Sequence, residues 1–315
     1  MQRIWATSVG YAAHELMQGD KRVLGRVHSV FRRAMNIETM NGRLLSLSSA
    51  HTPNFPTNMV TSLDGGDNGE GFLAMGIATG ALVHCRDGVI VVGGLVCDTG
   101  RATVFYPATR GALPAPNRGD LGGQLAEVAT ANWVGERAKG ESLGFASLLP
   151  YLAAEALSDT PAPLLADVFV KTAWPVVARL ISVLGEPHRL GAEGRALVGL
   201  GPGLTPAGDD LLAGLMASYH FGYVATGRGV APLLECFRPI LQRAEVATNK
   251  LSREMLHFAA RGEMTEVAEG VIVAFLGGDV CAQRKCTRHL VEYGASSGLD
   301  QLAGIILGLR GSLGL

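Results

Sequence analysis

The residues richest in chemical content lie between 199 and 210, in the run GLGPGLTPAGDD. Four glycines, two prolines and a threonine precede two adjacent aspartates. A simple chain reversal needs less, since one Gly and one Pro ordinarily suffice. The apolar run LLAGLMASYHF follows, so the loop enters a helix. Thr205 is suited to cap that helix with its hydroxyl, and Pro206 to occupy the first helical position, where no N–H is required. A glycine-rich turn at a helix start exposes backbone N–H groups at the positive end of the dipole. Gly201, Gly203, Leu204, Thr205 and Gly208 therefore form a candidate cradle for a phosphate or carboxylate. The run is not a P-loop, because the lysine of GK[ST] is absent. Nor is it a dinucleotide fingerprint, since no strand–helix–strand unit with a later acidic residue follows.

Asp209 and Asp210 complicate an anion site. First-turn carboxylates favour the helix dipole, which is a sufficient structural reason for both. Beside an anion they repel it unless a cation bridges the two, and a Mg²⁺ ion held by Asp209 and Asp210 is one such bridge. Adjacent helical residues point about 100° apart, so only one of the pair faces the loop. A near-repeat selects Asp210. In GASSGLDQLAG, residues 294–304, Gly298 answers to Gly208, Asp300 to Asp210, Gly304 to Gly214, and Ser296 to Thr205, with Ser297 beside it. Close packing of two Ala-Gly helix faces accounts for the shared LAG but not for the doubled hydroxyl, glycine and aspartate. Two such helix starts are expected to bring Asp210 and Asp300 into one pocket.

Further candidates surround this pair. In ATNKLSREML, Thr248 and Ser252 stand four apart on an expected helix and so on one face, where they offer hydroxyls to the ligand or to the preceding turn. His257, on the same helix, is the best acid or base among histidines scattered without HxH or HExxH spacing. Arg118, in NRGDLGG, is a candidate clamp for a substrate carboxylate or, alternatively, a solvated linker arginine.

The elements that must position these residues follow from composition and periodicity. The 315-residue chain is 48% apolar and 17% charged, enough to bury a large core in two domains or one large one. With 27 basic and 28 acidic side chains no global field draws it to nucleic acid or an anionic membrane. No apolar run reaches signal-peptide or membrane-span length, so a cytoplasmic location is expected. Five cysteines without paired CxxC spacing read as reduced thiols.

From Val23 to about Pro107 the runs are short and β-branched. Asn41-Gly42 and Asp87-Gly88 mark hairpins with type I′ turns, the first between RVHSVFRRAMNIE and RLLSLSS and the second between GALVHC and VIVVGGLV. Residues 106–123 are rich in Pro and Gly and read as a linker or an extended loop. Beyond them apolar residues return at three and four, with Pro175 expected to kink or split its helix. The expected fold class is α+β: a β-rich N-terminal domain, 1–115, with antiparallel hairpins, and a mainly helical domain, 116–315, carrying the glycine-rich loop.

GLGPGLTPAGDDLLAG, the Thr248–Ser252 helix, the terminal GASSGLDQLAG and the N-terminal FRRAMNI and NGRLLSL together resemble the AllH-like family, a subunit associated with bacterial oxamate carbamoyltransferase. The resemblance spans most of the chain and is most specific at GLTPAGDD. It implies carbamoyl transfer between oxalurate and phosphate, giving oxamate and carbamoyl phosphate in allantoin-linked nitrogen use, alongside partner subunits. It assigns no catalytic residue. The STRT-like phosphate motif of conventional carbamoyltransferases is absent, so such an activity would rest on a different site. Transfer to phosphate needs an anion cradle, polarisation of the carbamoyl carbonyl and exclusion of water, without an obligatory covalent nucleophile. Two readings stand side by side: an enzyme subunit acting on carbamoyl phosphate, phosphate or a related anionic metabolite, and a non-catalytic subunit that binds a nucleotide or small molecule for a partner.

Overall fold

A computed structural model describes residues 1–18, 23–65, 71–117, 119–139, 144–153, 168–201 and 203–315. The chain divides into two compact units, Met1–Pro107 and Ala108–Leu315. The division falls ahead of the 115/116 boundary expected from the linker composition. A hydrogen bond ties the intervening segment to the second unit: Ala108 N–H donates to Glu269 Oε2 at 2.7 Å.

Among its described residues the first unit holds nine strands, β1 (Gln2–Gly10), β2 (Gly25–Val30), β3 (Ala34–Thr39), β4 (Leu44–Ser48), β5 (Asn58–Thr61), β6 (Leu82–Arg86), β7 (Val89–Val92), β8 (Leu95–Asp98) and β9 (Thr103–Phe105), together with a short α-helix, α1 (Tyr11–Met17), and a 3-10 turn, Phe72–Met75. The sheet order is β5-β4-β3-β2-β6-β7-β8-β1-β9, and β1 also pairs with β5, which closes the sheet into a barrel with the short β9 at its edge. Alternate residues of β1 and β7 point into a core that includes Met35, Ile37, Leu45, Leu47 and Met59.

The turn chemistry refines the sequence reading. Asp87 (φ 51°) and Gly88 (φ 75°) are both left-handed, as a type I′ turn requires. At Asn41-Gly42 only Gly42 is left-handed (φ 75°), and its N–H donates to the Thr39 carbonyl. This is a longer loop rather than the expected type I′ turn. RVHSVFRRAMNIE breaks at Phe31–Arg33 into the antiparallel pair β2–β3, and VIVVGGLV folds back at Gly93-Gly94 into β7–β8. In both places a turn within the run divides one hairpin arm into two strands.

The second unit is mainly helical, so the chain as a whole is α+β. Its helices are α2 (Leu121–Lys139), α3 (Leu149–Ala153), α4 (Val168–Ser182), α5 (Pro187–Gly194), α6 (Ala207–Ala225), α7 (Ala231–Ala247), α8 (Lys250–Ala259), α9 (Glu266–Gly277), α10 (Val280–Val291) and α11 (Ser297–Leu313). Helix α4 continues through Pro175 rather than splitting there; the proline is exposed, so the carbonyl deprived of its partner faces water. The helix expected to carry both Thr248 and Ser252 starts only after Thr248, where Asn249 caps α8 by accepting the Ser252 N–H at 3.1 Å.

Helices α6 and α11 are apolar on nearly every face and form the centre of the unit. They run parallel, start beside start and end beside end: Thr205 meets Ser297 at one end, and Arg228 reaches the Ser312 carbonyl at the other. Their glycines explain the close approach. A Cβ on Gly214 would run into the Gln301 carbonyl, and one on Gly304 into the Leu211 carbonyl. Gly214 corresponds to Gly304 and Leu211 to Gln301 in the sequence repeat, so the two helices meet through a local two-fold relation. The shared LAG is thus a packing device.

Candidate functional site

The parallel pairing sets the starts of α6 and α11 side by side, and their first-turn carboxylates lie together. Asp209 (0% exposed), Asp210 (1%) and Asp300 (0%) are all withdrawn from water, so each requires partners. Asp210 Oδ1 accepts from Gln301 Nε2 at 3.0 Å, and its Oδ2 from the Thr205 hydroxyl at 2.8 Å. That hydroxyl lies 2.9 Å from Ser297 Oγ. Asp300 Oδ1 accepts the Phe145 N–H at 2.6 Å, while its Oδ2 is buried without a hydrogen-bond partner. Gly144 is left-handed (φ 65°) and lies so close to this carboxylate that a side chain there would collide with it.

Burial dominates the electrostatics. It pushes Asp210 up to about 7, against the opposing hydrogen bonds of Gln301, Thr205 and Ser297, with Asp209 adding a further upward push. It pushes Asp300 up to about 8, with the Phe145 N–H pulling down and the neighbouring Asp210 pushing up. Tyr293 belongs to the same cluster, its hydroxyl raised by burial and by the Asp210 carboxylate.

Asp209 faces elsewhere. Its Oδ1 accepts the Gly199 N–H at 2.8 Å and its Oδ2 accepts the Thr248 hydroxyl. Burial raises it too, partly offset by these bonds and by the nearby Ser252 hydroxyl. The expected sharing of one Mg²⁺ by Asp209 and Asp210 therefore finds no support in the geometry, because the oxygens of the two residues are committed to separate partner sets. Among the described residues no group of three or more His, Cys, Asp and Glu is arranged to hold a metal.

The loop ahead of α6 has a different construction from the expected cap. Pro206 (ψ 138°) is the residue outside the helix, and its carbonyl accepts the N–H groups of Asp209 (2.9 Å) and Asp210 (3.2 Å). The Thr205 hydroxyl serves the Asp210 carboxylate instead of capping the backbone, since a buried carboxylate is the more demanding acceptor. Gly208 packs its Cα against the Leu197 carbonyl and donates its N–H to Leu200 at 2.8 Å, which removes it from the anion cradle. Gly298 does the same in the second half, with a Cβ-excluding contact to Leu290 and an N–H donated to Tyr293 at 3.1 Å. In contrast, the N–H groups of Gly201, Gly203, Leu204 and Thr205 find no acceptor among the described residues, and Gly203 and Leu204 are exposed. Gly201 (φ 111°) and Gly203 (φ 107°) adopt a backbone that other residues rarely reach. Asn249 Nδ2 donates to the Leu204 carbonyl at 2.7 Å and ties the loop to the start of α8.

The hydroxyls distribute accordingly. Thr248 precedes α8 instead of sharing its face with Ser252, yet both reach the neighbourhood of Asp209. Ser296 stands next to Asp300 and favours its ionised form, while Ser297 bridges to Thr205. His257 is not brought to the carboxylates: its Nε2 pairs with Glu245 Oε1 at 2.9 Å on a half-exposed face that also holds Arg253. Arg118 lies outside the described residues.

Sequence reasoning passed over Gln301, Tyr293 and the Gly144–Phe145 backbone. Gln301 carried a legible signal, because its counterpart in the repeat is Leu211 and a polar residue at a core position is informative. Tyr293, next to the second glycine-serine turn, carried a weaker one. Nothing in the sequence around Gly144 foretells its contact with a residue so far along the chain.

The family model described as oxamate carbamoyltransferase subunit AllH matches residues 197–309, which contain the paired helix starts, and the AllH family N-terminal domain matches residues 5–104, the barrel. No curated protein and no solved structure matches the chain. Among the described residues no helix is long and apolar enough to cross a membrane. The two family matches follow the two structural units and together cover most of the sequence: the chain belongs to the AllH family of oxamate carbamoyltransferase subunits.

Proposed function

We propose that this subunit binds the phosphate-type ligand of a carbamoyl transfer, oxalurate plus phosphate giving oxamate plus carbamoyl phosphate, at the paired starts of α6 and α11. The observation that carries the reading is the set of N–H donors on Gly201, Gly203, Leu204 and Thr205, which have no acceptor among the described residues, beside the positive ends of two parallel helices. The Asp210–Asp300 pair answers the objection of charge. Burial raises the two carboxyls to about 7 and about 8, so the pair holds a proton near neutral pH, which lessens repulsion of an anion without a bridging metal.

The same pair suits the chemistry. A phosphate oxygen attacks the ureido carbonyl carbon of oxalurate, the bond from that carbon to the oxamate nitrogen breaks, and the departing nitrogen takes a proton. A carboxyl that is protonated near neutral pH is matched to supplying it. Partner subunits, implied by the family's description, would complete the enclosure that keeps water from the carbamoyl group.

The test is an assay of oxamate and carbamoyl phosphate formation from oxalurate and phosphate, with the purified chain alone and with its partner subunits. Product from the assembly that disappears when the chain is omitted supports the reading, and full activity without it refutes a catalytic part. Ligand binding without turnover by the assembly would favour the second reading, a non-catalytic subunit that binds a nucleotide or small molecule.

A further inference from the structure

Asp210 is 1% exposed, so its carboxyl does not itself reach a molecule bound at the 201–205 turn. Its hydrogen bonds lead outward. Oδ1 accepts the Gln301 amide N–H at 3.0 Å, so a proton on this carboxyl sits on Oδ2. Oδ2 lies 2.8 Å from the Thr205 hydroxyl, and that hydroxyl lies 2.9 Å from Ser297 Oγ. Burial eases along the same path: Asp210 is buried, Thr205 and Ser297 are half-buried, and the nearby Leu204 and Ala295 are exposed. Thr205 belongs to both features of the site. Its backbone N–H is one of the donors without an acceptor among the described residues, and its side chain touches the buried carboxyl. Capping does not account for the two hydroxyls, since Pro206 and Ser296 stand at the cap positions and the hydroxyls of Thr205 and Ser297 meet the carboxyl and each other. A hydroxyl both donates and accepts, so a chain of two passes a proton in either direction.

We propose that Asp210, Thr205 and Ser297 form a proton relay, with Ser297 as the group that gives the proton to the departing nitrogen. The inference rests on the carbamoyl transfer proposed above and adds to it the route by which a buried acid reaches the substrate. As the bond from the carbamoyl carbon to the oxamate nitrogen breaks, Ser297 Oγ–H gives its proton to that nitrogen. Thr205 passes its proton to Ser297, and Asp210 Oδ2 passes its own to Thr205, which leaves Asp210 a carboxylate. The attacking hydrogen phosphate loses its proton as the new C–O bond forms, and the chain run in reverse returns that proton to Asp210. Oxalurate and hydrogen phosphate thus become oxamate and carbamoyl phosphate with no net proton. Gln301 is a positioning residue, because its N–H on Oδ1 keeps the proton on the oxygen that faces Thr205. Burial, which pushes Asp210 up to about 7, supports the assignment, since its proton can leave and return near neutral pH.

The test is the steady-state rate of oxamate formation from oxalurate by the chain with its partner subunits, at varied phosphate, for Thr205→Val, Thr205→Ser and Ser297→Ala. Valine keeps the shape of threonine and removes the hydroxyl, whereas serine keeps the hydroxyl. Thr205→Val and Ser297→Ala should each lower kcat about tenfold or more with KM for phosphate held within about threefold, because a general acid is worth about 10²–10⁴ in rate and acts only in the transition state. Thr205→Ser should return kcat to within about threefold of the unaltered assembly. Ser297→Ala carries the test if Thr205→Val does not fold. Unchanged kcat in Thr205→Val and Ser297→Ala overturns the relay. So does a raised KM at unchanged kcat, which would mean that the hydroxyls only hold the ligand, and so does a Thr205→Ser assembly as slow as Thr205→Val. An unaltered assembly without activity overturns the proposed function and the relay together, while an active assembly indifferent to these substitutions overturns the relay alone.

Discussion

Replacing Asp210 by Asn tests whether the paired carboxyls hold protons at neutral pH. In the native chain Asp210 stands near 7 and Asp300 near 8, against an ordinary value of 3.8, so between about pH 4 and pH 8 the folded state retains protons that the unfolded chain has released. Unfolding then releases protons, and stability falls as pH rises through that window: it is greatest below 3.8 and the loss levels off above about 8. For Asp210 alone, the loss between pH 5 and pH 8 is on the order of 3 kcal/mol, from the linkage relation. Asp210→Asn removes that titration. The Asn can still accept from Gln301 or Thr205, and the Thr205 hydroxyl can turn to accept its amide. It also relieves Asp300 of a neighbouring charge. Urea unfolding of both proteins at pH 5 and pH 8 should therefore give a shallower pH dependence for the variant, roughly half the native loss because Asp300 still titrates, with the variant the more stable of the two at pH 8. Parallel pH profiles would refute the argument, because they would mean that Asp210 is ionised in both folded and unfolded chains.

Three further substitutions probe the helix seam and the surface. Gly304→Ala forces a methyl onto the Leu211 carbonyl and should cost about 1–3 kcal/mol or more, whereas Gly122→Ala, in α2 with open space at its Cβ, should be neutral or stabilising by up to about 1 kcal/mol; thermal unfolding compares them. His257→Ala removes a half-exposed pair with Glu245 and should change stability by less than about 1 kcal/mol without affecting carbamoyl transfer, so a large loss of turnover would return His257 to the active site.

The sequence conveyed the class of fold because the switch in periodicity after residue 123 is strong, and it conveyed the convergence of the two helix starts because the repeat preserves their order of hydroxyl, glycine and aspartate. What it hid was decided by competition among groups far apart in the chain. Thr205 had two suitors, the helix backbone and the Asp210 carboxylate, and only the fold reveals that Pro206 already serves the backbone. Gly208 looked like part of an anion cradle but is claimed by the Leu197 and Leu200 carbonyls. Thr248 and Ser252 shared a helical spacing, yet Asn249 starts a new helix between them. His257 sat on the right helix with the wrong azimuth, and no spacing rule predicts its attachment to Glu245.

The glycine contacts between α6 and α11 have a mechanical consequence. Where two helices touch through side chains, substituting those side chains changes their separation by fractions of an ångström. Here Gly214 and Gly304 bring main chain against main chain, so the gap is already at its lower limit and the two helices act as a fixed ruler for the carboxylates at their ends. Divergence within the family can then retune this site only through the pieces laid across the ruler's end: the turn at 199–205, the Gly144–Phe145 backbone, and the segment from Thr248 to Ser252. Any adjustment to a differently shaped ligand must be written there, and the distance from Asp210 to Asp300 is the quantity least open to change.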